Sequence, residues 1–165
     1  ATYSGQNYGA GKPERIWQGV KSAIKMVFVY CIFVNLILWN FSEDITMLFI
    51  DASEVEVLKD AAQFLHVSAS FFIVLGLLCV FRYTIQGAGY TQLSMFSGVA
   101  EMIARTLVSL FVVPVFGFWG ICFGDPIAWI CAMMFLVPAF RYVYRRLLDI
   151  VAKERAGQMP DASPA

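Results

Sequence analysis

Long apolar tracts, separated by short polar or glycine-containing stretches, dominate the pattern of this chain. Within the tracts the apolar positions run on without alternating, the form a helix takes when its surroundings are apolar on most sides. A helix that crosses a bilayer needs roughly 20 mostly apolar residues, and four such tracts are visible. A membrane β-barrel is excluded, because its strands would alternate apolar and polar positions.

Pro13 is placed for a first helical turn, and the stretch from Ile16 to Phe41 has no proline and a single glycine, Gly19. At 1.5 Å per residue this helix is roughly 39 Å long, more than a 30 Å hydrocarbon core requires. Its first turns are amphipathic, with Trp17, Val20 and Ile24 on one face and Lys21 and Lys25 on another. They are expected at the interface, with the span proper beginning near Met26. Residues 42–60 hold six of the twelve acids against one base, Lys59, and read as an acidic loop outside the membrane. Ser53 followed by Glu56 matches a capping box, which predicts a second helix from Glu54. That helix enters lipid near Ala61 and stops at Gly87-Ala88-Gly89. Thr91 can cap a third helix running to Pro114. After Gly117 and Gly120 comes a fourth tract, ending near Tyr144 in Arg145-Arg146. Asp125-Pro126 either starts the fourth helix as cap and first residue or kinks a longer one, and for Asp125 the cap is the preferred role. Residues 153–165, polar and containing Gly157, Pro160 and Pro164, read as a disordered tail.

Composition agrees with a membrane protein. Of 165 residues, 59% are hydrophobic and only 15% charged, which excludes an ordinary soluble domain. Twelve basic residues balance twelve acidic ones, so no nucleic-acid partner is expected. Lys12, Arg15, Lys21 and Lys25 precede the first span, and Arg141, Arg145, Arg146, Lys153 and Arg155 follow the last, so both ends are expected to face the cytoplasm. An even number of spans requires the same, and it places the acidic loop outside. Cys31, Cys79, Cys122 and Cys131 form no C-x-x-C pair and read as small buried hydrophobes. The chain opens on Ala1-Thr2-Tyr3 with no initiator Met and no signal-peptide pattern, and it reads as a piece of something longer.

The candidate chemistry lies in the few polar residues inside the spans. A charge at the bilayer centre costs about 2.5–3.5 kcal/mol on insertion scales, so each such ion must face protein or a water-filled cavity. Glu101 and Arg105 sit near the middle of the third helix, four residues apart and able to pair. Ser94, Ser97, Gly98 and Ser109 continue the same polar stripe. Two readings stand side by side: a lining for a substrate or ion path in which Glu101 exchanges a proton or cation, and a structural ion pair with Arg105. Asn35 in the first span, and Gln63, His66 and Ser70 in the second, read as interhelical hydrogen-bonding groups. Arg82 and Gln86 read as interfacial anchors. There is no P-loop, H-E-x-x-H or G-x-S-x-G, and a single His leaves little for a nucleophile and its base, so no enzyme is expected.

Several strings resemble one family in order along the chain. Gly5-Gln6-Asn7-Tyr8-Gly9-Ala10-Gly11 with Lys12-Pro13-Glu14-Arg15 is similar to the segment closing the second helix of a lobe in multidrug and toxic compound extrusion (MATE) transporters. Phe41-Ser42 through Leu48-Phe49 resembles that family's external loop. Gln86-Gly87-Ala88-Gly89-Tyr90-Thr91 resembles the turn between a lobe's fourth and fifth helices. Ser97-Gly98-Val99-Ala100-Glu101 with Arg105, then Gly117-Phe118-Trp119-Gly120-Ile121, is similar to the last two helices.

The resemblance implies an all-α integral membrane protein whose four transmembrane helices form the last part of a MATE-type six-helix lobe. Residues 1–14 would be the end of a preceding helix and a cytoplasmic loop, 15–150 the four-helix region of the C-terminal lobe, and 151–165 a polar cytoplasmic tail. It further implies export of amphipathic, often cationic drugs or metabolites by alternating access, coupled to sodium ions or protons and needing no cofactor. The expected partners are the lipid bilayer and the N-terminal lobe of the same polypeptide, in a bacterial inner membrane. Parts of the family carry a cation-binding carboxylate on the fourth helix of the C-terminal lobe. Here the span from Ala61 to Gln86 has no acid, which leaves coupling to Glu101 or to carboxylates elsewhere. The candidate pathway residues are therefore Glu101, Arg105, Ser97, Ser94 and Asn35. A flippase of lipid-linked sugars and a standalone four-helix scaffold or assembly subunit are the alternatives.

Overall fold

The computed structural model describes residues 1–51 and 53–157. All regular structure among them is helical: α1 (Thr2–Gly9), α2 (Pro13–Met47), α3 (Val55–Ser70), α4 (Phe72–Gly87), α5 (Thr91–Leu107), a π-helical turn (Val108–Val112), α6 (Val113–Phe116) and α7 (Phe118–Arg155). Three stretches, Pro13–Met47, Thr91–Phe116 and Phe118–Lys153, are each long and apolar enough to cross a membrane. The bent pair α3 and α4 makes a fourth if it is one span.

The core lies where α7 meets α4 and the start of α2. On α7, Ala132, Leu136, Phe140, Val143 and Leu147 recur at three- and four-residue spacing and are all buried, the periodicity of one helix face. They pack with Leu78 and Ile85 of α4 and with Ile16 and Val20 of α2. Trp17 lies over this cluster, its ring centroid 5.7 Å from Phe140 and 5.9 Å from Tyr144. Large apolar side chains such as Phe28, Val29, Phe33 and Leu36 remain exposed on α2. In a bilayer such a surface meets lipid, and small residues at the contacts let helices approach; Ala69, Ala128 and Ala132 are fully buried.

Several sequence expectations are corrected. The first helix ends at Met47, so residues 42–47 are helical and not loop, with a kink at Phe41, whose φ is −125°. The capping box does not form: Glu54 precedes α3 without a side-chain cap, and Ser53 instead gives both its amide and its hydroxyl to Asp51 Oδ1, at 3.0 and 2.9 Å. Two bonds donated to a charged carboxylate outcompete a cap at that position. Thr91 is the first residue of α5 and makes no cap bond.

The second helix is not continuous either. It breaks at Phe71, and α3 and α4 meet at 50°. Ser70 Oγ donates back to the His66 carbonyl at 2.8 Å, and Asn35 of α2 donates to the Ala69 carbonyl at 2.9 Å. Back-bonding serines bend helices, and a donor from a neighbouring helix satisfies backbone that a break disturbs.

The third helix passes Pro114 and ends at Phe116. Proline has no amide to return to the carbonyl four residues earlier, and the ladder widens into the π turn immediately before it. Gly117, with φ of +56°, makes the reversal into α7, a backbone region that side-chain-bearing residues rarely occupy. α7 then runs from Phe118 straight through Asp125, Pro126 and Pro138. Asp125 is therefore not a cap, and the preference for that role is overturned. Pro126 is buried within this helix. Helix continues to Arg155, so residues 153–155 are ordered helix, while 158–165 of the expected tail lie outside the described residues.

Candidate functional site

Four charged side chains from three helices form one cluster. Glu101 of α5 accepts from Arg82 of α4, with Nη2 to Oε2 at 2.6 Å, and from Arg105 of its own helix, with Nη2 to Oε1 at 2.9 Å. Arg105 turns its Nε to Asp125 Oδ1 of α7 at 3.0 Å. Two guanidiniums and two carboxylates leave the cluster neutral. Arg82 also donates from Nε to Ser97 Oγ at 3.0 Å, and the Ser97 hydroxyl donates in turn to the Ser94 carbonyl at 2.7 Å. Ser97 thus orients the guanidinium that reaches Glu101.

Exposure grades across the cluster. The side chains of Glu101 and Arg82 are 15% and 24% exposed, whereas Arg105 and Asp125 stand at 49% and 39%. The inner pair is held from both sides, both Glu101 oxygens being occupied. The outer pair is open, with only Oδ1 of Asp125 in an ion pair among the described residues.

Of the residues singled out from sequence, Glu101, Arg105 and Ser97 come together, and Ser94 supports them through its carbonyl. Asn35 does not join them. It bridges α2 and α3 at the Cys31 and Ala69 carbonyls. Arg82 was read as an interfacial anchor, and the structure corrects this: it points inward to Glu101. Asp125 was read as a cap and is a second carboxylate of the cluster. For Arg82 a signal was available, since it lies more than a turn inside the helix end at Gly87 and shares a fold with an intramembrane acid that needs countercharge.

His66 ties α3 to α2. Its Nε2 lies 2.8 Å from Ser42 Oγ, and its ring stacks on Trp39 with centroids 4.8 Å apart. Ser42 is buried, and the contact joins the kinked end of α2 to its neighbour. An open cleft of about 940 Å³ runs between α1, α2 and α4, past Tyr3, Gln18, Tyr30, Cys79 and Thr84. No charged side chain lines it.

The sequence model of the MatE family matches residues 1–111. The chain belongs to the MatE family. It is accordingly an integral membrane protein of multidrug and toxic compound efflux, and members of the family are transporters. No curated protein and no solved structure matches the chain. Within this MatE chain, Arg82, Glu101 and Arg105 fall inside the matched residues and Asp125 beyond them.

Proposed function

We propose that this MatE chain supplies the last four spans of a C-terminal lobe in a cation-coupled antiporter, which exports amphipathic, often cationic compounds by alternating access. Both ends face the cytoplasm of a bacterial inner membrane, and the N-terminal lobe of the same polypeptide encloses the path. The observation that carries the reading is the half-open Arg105–Asp125 pair on two helices apolar enough to span a membrane. Charges open at that depth require a water-filled cavity or protein opposite them, because lipid does not solvate them.

Within the cluster the two acids divide the work. Glu101, bonded on both oxygens, ties α4 to α5 and leaves neither oxygen free for an exchanging cation. Asp125, with one oxygen outside any ion pair among the described residues, exchanges the coupling proton or sodium ion. When Asp125 is neutralised, its hold on Arg105 weakens, and α7 is freed from α5 at that point. This links cation binding to movement of one helix against another, the kind of two-state contact that alternating access needs.

The test is export of a cationic dye by the full-length protein in proteoliposomes under an imposed proton or sodium gradient. Asp125→Asn is expected to lower gradient-driven export at least about tenfold, the effect of about 1.4 kcal/mol, with insertion unchanged, and Asp125→Glu to retain part of it. Undiminished export by Asp125→Asn would remove this residue from coupling. Movement of a lipid-linked sugar, with no dye export by the parent protein, would favour the flippase reading instead.

A further inference from the structure

The outward face of α7 changes character along its length. Ile130, Met134, Phe135 and Pro138 are exposed and apolar, and one turn further on Arg141, Tyr142, Arg145 and Arg146 are exposed and mostly cationic. The second set, with Pro138 and Asp149, lines a groove of about 600 Å³. Three guanidiniums there face a single carboxylate.

Arg146 is already fixed: it donates from Nη1 to the Tyr142 hydroxyl at 3.2 Å and lies over the Tyr90 ring, 5.7 Å from its centroid. Arg141 and Arg145, four residues apart on the same face, have no ion-pair partner among the described residues. Two unpaired guanidiniums beside a held one make a receptor for phosphate oxygens, which arginine binds through paired N–H groups.

We infer that this groove binds the headgroup of an anionic phospholipid, with the phosphodiester on Arg141 and Arg145 and the acyl chains along Pro138, Phe135, Met134 and Ile130. The apolar track selects a lipid over a free anion or a nucleic acid, because only a lipid offers a phosphate continuous with hydrocarbon. Basic pockets at the ends of transmembrane helices recognise headgroups by this combination. The site is separate from the Arg82–Glu101–Arg105–Asp125 cluster and does not depend on how coupling is achieved.

The test is native mass spectrometry of the full-length protein in detergent, titrated with phosphatidylglycerol or phosphatidylcholine. The parent is expected to prefer phosphatidylglycerol. The double variant Arg141→Gln/Arg145→Gln is expected to bind it about 30-fold more weakly, each arginine near an anionic headgroup contributing about fivefold. Arg141→Lys/Arg145→Lys, which keeps both charges but not the paired N–H groups, is expected to bind between the parent and the glutamine variant, and controls for a folding defect. The inference is overturned if the glutamine variant binds phosphatidylglycerol as the parent does, or if phosphatidylcholine binds the parent equally well. Displacement of the lipid by millimolar inorganic phosphate would also overturn it, by revealing a free-anion site.

Discussion

Replacing Glu101 by Gln keeps the shape of the side chain and removes its charge, so the change isolates what the carboxylate does. Arg82, 24% exposed and bonded to Glu101 at 2.6 Å, is left without countercharge, while Arg105 keeps Asp125. Removing one partner of a buried pair costs about 3–5 kcal/mol. The partial exposure of Arg82 places the expected loss at the low end, about 3 kcal/mol. Arg82→Gln leaves Glu101 its second partner, Arg105, and a loss of about 1.5 kcal/mol is expected, the low end for a hydrogen bond to a charged group. The double variant again has equal charges, Arg105 against Asp125, so it should be less damaged than the two losses together by about 2 kcal/mol. The assay is a double-mutant cycle of unfolding free energies, measured by steric trapping of the full-length protein in bicelles. Additivity within about 0.5 kcal/mol would mean the two residues act independently, and the account of Glu101 as the tie between α4 and α5 would be wrong.

Two further outcomes are expected. A Cβ at Gly76 of α4 would strike Cγ1 of Val27 on α2, and a β-branched side chain in a helix has little rotamer freedom with which to yield. Gly76→Ala should therefore lower stability by about 1–3 kcal/mol, and Val27→Ala in the same protein should restore most of it; a thermal melt that Gly76→Ala leaves unmoved would contradict this packing. Outside the spans, the amide and hydroxyl of Ser53 hold the Asp51 carboxyl below the usual carboxylate range. A depressed folded-state pKa means that the native state binds fewer protons than the unfolded one, so the contribution is present above the unfolded value and lost as pH falls through the folded one. Asp51→Asn should thus flatten the dependence of stability on pH below about pH 4, and an unchanged acid limb in denaturation at stepped pH would count against the turn.

Much of the architecture was legible in the residues. Pro13 at the start of α2, the glycine-containing turn after Gln86 and the apolar tracts themselves follow from local rules: a fixed φ, backbone freedom and the length of hydrocarbon to be crossed. Family membership was legible too, because motifs in order survive without any knowledge of packing. The pairing of Glu101 with Arg105 was also readable, since four residues apart on a helix is a contact set by helix geometry alone. What the residues could not show was every feature that depends on a second helix. The bend at Phe71 needs Asn35 of α2 to satisfy the Ala69 carbonyl, and the role of Asp125 inside α7 needs Arg105 of α5, with which it pairs. Arg82 looked like an anchor in the one-dimensional pattern because nothing near it in sequence carries the opposite charge. Packing α4 against α5 brings Glu101 within 2.6 Å of it, and packing α5 against α7 brings Asp125 within 3.0 Å of Arg105. The sequence by itself determined that charges lie within the membrane, because composition and helix period are local. Which charges meet across helices was decided only by tertiary structure, because partners 19 and 20 residues apart are brought together by helix packing and not by the period of any one helix.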